Sequence, residues 1–222
     1  MTSTESMKPK IRHVIWDFNG TLLNDAQLAL SIDNRLLRQM GMEPITLEDY
    51  RTFMRNTVEL FYQDLGVDLQ KYDFKWINET FLEEFNREAV NVGLMPGALQ
   101  ALQAIRDAGY TQSILSSSYE PSLLHQAQAL GLTPFMSAVT GLLDNGGGTK
   151  EERGLHQLAL LGVPPEEAVL VGDMITDAFV ASHMGCRCIL VAGGHNTRRR
   201  LSQCGMPVAG DIGGVLPILL EA

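Results

Sequence analysis

Aspartates at the ends of strand-like runs are the residues of this sequence most able to do chemistry. Asp17 follows the apolar run 11–16, and Asp173 follows the run 168–171, with Asp177 four residues later. One aspartate at a strand end often only caps a helix, but a second acid exceeds what a cap needs. Parallel strands end at one edge of a sheet, where ligands bind. Carboxylates gathered there repel each other unless a cation compensates, and Mg²⁺ prefers such oxygen ligands. The sequence therefore predicts a magnesium site.

Small residues near these strand ends are candidates for binding a phosphate. Gly20 and Thr21 follow the first run closely, and Gly20 permits a tight turn whose exposed amides can hold an anion. Ser116 and Ser117 follow the run 112–115. These serines either cap the next helix or bind phosphate at its N-terminus, and even the first interpretation leaves a helix end that suits an anion.

Basic residues at three places could contact an anionic substrate. Lys150 follows the glycines 146–148, which lack the spacing of a P-loop and instead predict a flexible loop that delivers one lysine. Arg51 and Arg55 are one helical turn apart, and a bidentate arginine suits an anionic group. A solvated helix face explains this pair equally well, so both interpretations stay open. We leave the basic run 198–200 outside the predicted site.

Short apolar runs with helical stretches between them should position these residues. Besides the runs that end at Asp17 and Asp173, there are runs at 112–115 and 188–191 and a weaker one at 136–140. Runs this short, without alternation, are typical of strands buried on both faces. Their repetition with helices predicts an α/β fold with a doubly wound, Rossmann-like parallel sheet.

Two helices between the predicted strands can be placed from their apolar stripes. Leu99, Leu102 and Ile105 form a stripe over residues 98–107, and leucines 155, 158 and 161 form one over residues 151–161. Glycines follow both segments closely, as is common at helix ends. We therefore predict a helix over each of these segments.

The segment 24–91, called the helical insert below, departs from this pattern because it contains no strand-like run. It has helical periodicity instead, with apolar stripes from Ala29 to Met40 and from Phe74 to Phe85. We interpret the insert as an α-helical cap domain over the sheet edge. Residues 10–23 and 92–222 then form the Rossmann-like core.

Composition narrows the class of protein and its partners. The chain has 222 residues, 45% of them hydrophobic, and a formal net charge of −9. An acidic protein is repelled by phosphate backbones, which argues against a nucleic-acid partner. The polar leader and the lack of an apolar run near the roughly 20 residues that span a bilayer argue against a membrane protein. The three cysteines are clustered and suit reduced thiols, which are typical of the cytoplasm. We therefore expect a cytoplasmic protein. Nothing in the sequence indicates its oligomeric state.

The order of these motifs resembles the haloacid dehalogenase superfamily. DFNGTL at 17–22, a strand ending in Ser116, Lys150, and GDMITD at 172–177 are similar to its four motifs. The helical insert is similar to the subclass with a helical cap, which includes phosphoglycolate phosphatase and β-phosphoglucomutase. The resemblance implies a Mg²⁺-dependent phosphatase that acts on a small phosphorylated metabolite through an aspartyl-phosphate intermediate.

The resemblance also implies roles for individual residues. Asp17 would be the nucleophile that forms the aspartyl-phosphate. Ser116 and Lys150 would bind the transferring phosphoryl oxygens and offset their charge. The Mg²⁺ ligands would be Asp17, the backbone carbonyl of Asn19, Asp173 and, directly or through water, Asp177.

Asn19 departs from the family's pattern. The family's phosphatases have an aspartate there, which protonates the leaving oxygen and then activates water. A carboxamide can do neither, and loss of such help typically costs about 10²–10⁴-fold. We therefore predict a phosphatase with impaired turnover. The alternatives are a catalytically weak protein that binds or senses phosphometabolites and, disfavoured by the pair Asp173 and Asp177, a metal-free dehalogenase.

Overall fold

A parallel β-sheet lies at the centre of the computed structural model, which describes residues 10–55, 57–143 and 148–221. Within those residues the sheet has six strands in the order β3-β2-β1-β4-β5-β6. The α/β, doubly wound class is therefore confirmed. The strands are β1 (His13–Trp16), β2 (Thr111–Tyr119), β3 (Ala138–Leu142), β4 (Ala168–Gly172), β5 (Arg187–Val191) and β6 (Val208–Ala209).

The central strand β1 brings the first and last motifs together. It pairs in parallel with both β2 and β4, and Trp16 lies opposite Val171 of β4. The Asp17 amide donates to the Val171 carbonyl over 2.8 Å. All residues of β1 and β4 are buried, as predicted for strands covered on both faces. Asp17 and the Gly172-Asp173 turn therefore leave the sheet side by side, where the strand order reverses direction.

Helices cover both faces of this sheet. Ile15 and Leu170 belong to a buried cluster with residues of α7 and α8, whereas Val14 and Trp16 belong to a cluster with residues of α5 and α10. The alternation follows from the two-residue period of a strand. The core helices are α5 (Ala98–Asp107), α6 (Glu120–Ala129), α7 (Lys150–Leu161), α8 (Ile175–Met184), α9 (Arg198–Leu201) and α10 (Val215–Glu221).

All the regular secondary structure in the described part of the helical insert is helical. The predicted stripe from Ala29 to Leu36 is buried in α1 (Ala26–Gln39), and its last member, Met40, is buried directly after that helix. Ile77 and Phe85 are buried in α4 (Phe74–Glu88). Thr46 and Asp49 form a capping box at the start of α2 (Leu47–Phe53). The interpretation of the insert as a separate cap domain stays a prediction. Its helices are α1 (Ala26–Gln39), α2 (Leu47–Phe53), α3 (Val58–Asp64) and α4 (Phe74–Glu88).

Several details differ from the sequence-based expectation. Strand β2 continues beyond Ser116 to Tyr119 with an irregular register, so the serines lie within the strand and do not cap α6. The short strand β6 was not predicted. The glycine-rich loop expected at 146–148 lies largely outside the described residues. None of the described helices combines the length and apolar character needed to cross a membrane.

Candidate active site

Three aspartates converge where β1 and β4 end. Asp17, Asp173 and Asp177 are all buried, and each offers a carboxylate oxygen within 4.8 Å of the others. Asp17 and Asp173 directly follow their strands, and Asp177 lies in the first turn of α8. This set of hard oxygen donors fits Mg²⁺, which accepts carboxylates and completes its octahedron with water. The predicted metal-ligating side chains are thus together.

Lys150 holds two of these aspartates. Its Nζ donates to Asp17 Oδ1 over 2.6 Å and to Asp177 Oδ1 over 2.8 Å. Lys150 is the first residue of α7, whose start is fixed by a capping box between Thr149 and Glu152. The helix end therefore delivers one ammonium group to the centre of the acidic cluster.

Crowding and burial disturb the ionisation of the cluster. Burial raises the pKa of Asp17 to about 7, against the attraction of Lys150 and with repulsion from Asp177 and Asp173. Burial likewise raises the pKa of Asp173 to about 6, although the nearby His195 opposes this. For Lys150, burial opposes the charge, yet the two aspartates raise its pKa above the usual value. One lysine leaves negative charge uncompensated, which is a further feature that suits a cation.

Glycines allow the backbone to pack directly on the aspartates. A Cβ at Gly172 would overlap the Asp177 carboxyl group, and one at Gly194 would overlap Asp173. Gly20 lies against Asp173 as well, and its φ of 72° favours glycine. The site therefore depends on residues that have no side chain.

The loop after Asp17 uses its polar groups within the protein. The Thr21 hydroxyl donates to Asp173 Oδ1 over 2.8 Å. The Gly20 amide donates to Asp25 Oδ1 over 2.7 Å. Both residues lie at the site, and their predicted contact with phosphate stays a prediction.

Asn19 is partly exposed and lies two residues after Asp17. Its Nδ2 donates to Asp25 Oδ2 over 2.8 Å, and its Oδ1 accepts from the Ser118 hydroxyl over 2.7 Å. Both ends of the amide therefore have partners within the protein. Neither partner is the Asp17 carboxylate.

Ser116 is buried, whereas Ser117 is exposed. The Ser116 hydroxyl accepts from the Ser118 amide over 3.1 Å, and its carbonyl accepts from Arg153 Nη2 over 3.1 Å. Arg153 Nη1 also donates to the Gly148 carbonyl over 2.7 Å. This buried arginine, which the sequence reasoning missed, joins the segment with Ser116 to the one that precedes Lys150. Its position one turn after Lys150 in the same helix was the available signal.

The two candidate arginines of the insert have different surroundings. Arg51 donates through Nε to the Gly194 carbonyl over 2.8 Å and through Nη2 to the Gly193 carbonyl, so it ties α2 to the loop after β5. Arg55 is exposed and forms an ion pair with Asp64.

Arg55 also lines a pocket of about 330 Å³ together with Arg200, which belongs to the basic run left out of the predicted site. Thr176 and Asn196 are among the other lining residues. The pocket therefore lies between the helical insert and the start of α8.

His195 is a second residue whose importance the sequence did not reveal. Its backbone amide donates to Asp173 Oδ2 over 2.6 Å, and its ring contacts Asp25 and the Tyr50 hydroxyl. Burial lowers the pKa of His195, but the Asp25 and Asp173 carboxylates outweigh it and raise the value to about 9. The turn after β5 was recognisable as part of the sheet edge, but no local pattern indicated these partners.

Known proteins are similar to this chain in both sequence and fold. The family model described as haloacid dehalogenase-like hydrolase matches residues 14–191. The chain is 24% identical over 225 residues to the phosphoglycolate phosphatase of Thiobacillus denitrificans, covering 96% of this chain and 94% of the relative. It is 26% identical over 196 residues to the phosphoglycolate phosphatase of Synechococcus elongatus, covering 85% and 87%.

Solved structures show the same fold. A haloacid dehalogenase-like hydrolase from Streptococcus pneumoniae has a TM-score of 0.80 at 16% identity, over 94% of this chain and 98% of that chain. A hydrolase of the same family from Deinococcus radiodurans, solved with bound phosphate and sodium, has a TM-score of 0.73 at 21% identity, over 95% and 96%.

The fold, the site and these relatives define a hydrolase of the phosphatase class. The chain belongs to the haloacid dehalogenase-like hydrolase family. Within that family it is similar to phosphoglycolate phosphatases.

Proposed function

We propose that the chain is a Mg²⁺-dependent phosphatase of a small phosphorylated metabolite, with Asp17 as the nucleophile. The observation that carries the proposal is the buried cluster of three aspartates with one lysine at the carboxyl edge of the sheet. A nucleophilic carboxylate needs compensation of the phosphate's charge before it can approach. Lys150 offers part of that compensation from within the chain.

In the proposed mechanism, Asp17, Asp173 and Asp177 would hold Mg²⁺ together with the Asn19 backbone carbonyl. The ion, when bound, would supply charge neutralisation for the phosphoryl oxygens. An Asp17 oxygen attacks phosphorus, the bond to the leaving oxygen breaks, and an aspartyl-phosphate forms. Water then attacks phosphorus and the bond between phosphorus and the Asp17 oxygen breaks, which releases phosphate and restores the carboxylate. The proton that water loses balances the one that the leaving oxygen takes up.

The substrate's second part would lie towards the helical insert. Arg55 and Arg200 line the pocket of about 330 Å³, although Arg55 also pairs with Asp64 and Arg200 also donates to the carbonyls of Arg51 and Met54. Two guanidinium groups at one pocket suit a small metabolite with a second anionic group. The curated relatives are phosphoglycolate phosphatases, and glycolate carries such a group as a carboxylate. This supports a phosphorylated small acid as the substrate class. The direct contacts of Arg51 with the core make it a less suitable substrate ligand than Arg55.

Asn19 favours a second candidate, a protein that binds phosphometabolites with little turnover. The amide has no proton of suitable acidity for the leaving oxygen, and it cannot act as the base for water. A binding protein, however, would have no need of a buried nucleophile held by Lys150. We therefore place the phosphatase first.

Phosphate release from a panel of small phosphate esters, with and without Mg²⁺, tests the proposal. We expect release that requires Mg²⁺, is lost on chelation, returns on repletion and is abolished in D17N. Calorimetric titration with Mg²⁺ provides a readout besides activity, and D173N should weaken that binding. Tight binding of phosphate esters without any release would favour the second candidate. Release that is equal in D17N would show that Asp17 is not the nucleophile.

A further inference from the structure

The loop after β5 helps to orient the Asp173 carboxylate. The His195 backbone amide donates to Asp173 Oδ2 over 2.6 Å, while the Thr21 hydroxyl donates to Oδ1 of the same group. Hydrogen bonds to a metal-ligating carboxylate determine which way its oxygens point. The position of the His195 amide therefore affects how well Asp173 can bind a cation.

This loop is poorly suited to hold its own conformation. Gly193 has a φ of 110°, which favours glycine, and a Cβ at Gly194 would overlap Asp173 and the Gly20 carbonyl. Both positions therefore require glycine, the residue with the largest conformational freedom. Contacts from outside the loop have to restrict that freedom.

Arg51 of the helical insert provides such contacts. Its guanidinium group donates through Nε to the Gly194 carbonyl over 2.8 Å and through Nη2 to the Gly193 carbonyl. Two bonds from one planar group restrict both the position and the direction of the loop. The hydroxyl of Tyr50, the residue before Arg51, lies 2.8 Å from His195 Nδ1. Helix α2 thus contacts three successive residues of the loop.

A second arginine makes contacts in the opposite direction. Arg200 of α9 donates through Nη1 to the Arg51 carbonyl over 3.1 Å and to the Met54 carbonyl over 2.7 Å. These carbonyls lie at the C-terminal end of α2, where helix carbonyls lack partners within the helix. Arg51 therefore joins the insert to core carbonyls, and Arg200 joins the core to insert carbonyls.

We propose that Arg51 is a positioning residue for the metal site. It holds the loop 193–195 so that the His195 amide stays on Asp173. Arg200 supports Arg51 by holding the end of α2 against the core. The contact between insert and core then affects how tightly the core binds Mg²⁺. Coupling of this kind is reciprocal, so bound Mg²⁺ stabilises the contact of α2 with the core in turn. This inference rests on the Mg²⁺ site of the proposed function.

Calorimetric titration with Mg²⁺, without any substrate, compares wild type with R51M, R51K and R200M. The dissociation constant should rise about 3- to 10-fold in R51M, less than the roughly 10- to 100-fold typical of removing a direct partner of a metal ligand. R51K should show a smaller rise, because an ammonium group keeps the charge but lacks the planar fork. R200M should also weaken binding, whereas R38M and R199M, at exposed arginines of α1 and α9, should bind Mg²⁺ as wild type does.

This readout separates positioning from a general loss of stability. If Arg51 only stabilised the fold, R51M would melt at a lower temperature, but the folded protein would bind Mg²⁺ with an unchanged dissociation constant. That result would overturn the inference and leave the proposed function intact. If R51M does not fold, R51K provides the same comparison. Absence of Mg²⁺ binding by wild type would overturn both the inference and the proposed function.

Hydrogen exchange tests the coupling from the other side. Mg²⁺ should slow amide exchange in α2 of wild type, and this protection should be smaller in R51M. Equal protection of α2 in both proteins would mean that Arg51 does not transmit the effect, which would contradict the proposal.

Discussion

The ammonium group of Lys150 lies between two carboxylates that would otherwise repel each other. It contacts Asp17 at 2.6 Å and Asp177 at 2.8 Å, and all three side chains are largely buried. Removing one partner of a buried ion pair typically destabilises a protein by about 3–5 kcal/mol, because the remaining charge has no compensation. A divalent cation bound by the same aspartates can supply that compensation instead.

We therefore predict that K150M melts well below wild type without metal and recovers more of its stability on addition of Mg²⁺ than wild type does. Phosphate release should fall by at least about 10²-fold, because charge stabilisation of the transferring phosphoryl group is lost. Thermal melts with and without Mg²⁺ measure the first effect. K75M is the matched control, since Lys75 is an exposed lysine that pairs with Glu79 on α4. Equal Mg²⁺ shifts in K150M and wild type would contradict the prediction.

The sequence predicted the side chains of the site better than their contacts. Asp17, Asp173 and Asp177 were predictable because each acid follows a short buried run, and parallel strands end at one edge. The sequence did not predict that these aspartates pack against Gly172 and Gly194. Only the folded backbone shows that a Cβ at either glycine would overlap a carboxylate. A residue type that acts by having no side chain leaves little signal in one sequence.

At the scale of elements, the helices of the insert could be predicted from the sequence. The residues that the core helices bury could be predicted less well. The stripe of α1 is buried as expected, but Leu99 of α5 is 41% exposed and Leu155 of α7 is 38% exposed. Helix α5 instead buries Ala98 and Ala101 beside Leu102 and Ile105. A stripe chosen by the largest side chains misses small residues, which allow a helix to approach the sheet closely.

Arg153 of α7 connects the segment that precedes this helix to Ser116 within β2. It is 8% exposed, it donates to the carbonyls of Ser116 and Gly148, and its Nε has no hydrogen-bond partner among the described residues. Burial lowers the pKa of Arg153, although Glu120 and Glu151 oppose this. Arg153 thus joins two segments of the site without contacting Asp17.

We predict that R153M destabilises the protein by about 1–3 kcal/mol, because the buried Ser116 carbonyl and the partly buried Gly148 carbonyl lose a donor. The KM for phosphate esters should rise more than kcat falls, since the segments with Ser116 and Lys150 lose their link but Asp17 keeps its place. Chemical denaturation and steady-state kinetics measure the two effects. R12M is the control, because Arg12 is an exposed arginine that pairs with Glu167. An unchanged KM in R153M would remove Arg153 from the positioning of the site.

At the scale of the whole molecule, contacts distant in sequence join the insert to the core. Tyr50 reaches His195 across 145 positions, and Arg51 reaches Gly194 across 143. Hydropathy and periodicity describe local structure, so they predicted that an insert exists but not which residues hold it to the core. Arg51 illustrates the limit: its charge predicts either a substrate contact or a solvated helix face, whereas in the structure it donates to backbone carbonyls of the core.

A buried acid inside the insert couples the stability of the whole molecule to pH. Asp33 of α1 is 2% exposed, its Oδ1 accepts from the Tyr62 hydroxyl over 2.6 Å, and its Oδ2 has no hydrogen-bond partner among the described residues. Burial raises the pKa of Asp33 from 3.8 to about 7, although Tyr62 and the more distant His195 oppose the shift. The folded state therefore keeps a proton on this carboxyl group that the unfolded state has already released.

Between pH 4 and 7 the folded protein binds more protons at Asp33 than the unfolded chain, so this residue lowers the free energy of unfolding as pH rises. The slope is about 1.4 kcal/mol per pH unit. D33N removes this titration. We therefore predict that the free energy of unfolding of D33N, relative to that of wild type, rises by about 3 kcal/mol from pH 5 to pH 8. The free-energy cost of burying the new amide is the same at both pH values, so it cancels from this comparison. Urea denaturation of both proteins at the two pH values measures the difference, and D107N, at an exposed aspartate of α5, is the control. A difference between D33N and wild type that does not change with pH would mean that Asp33 is ionised in the folded protein throughout this range.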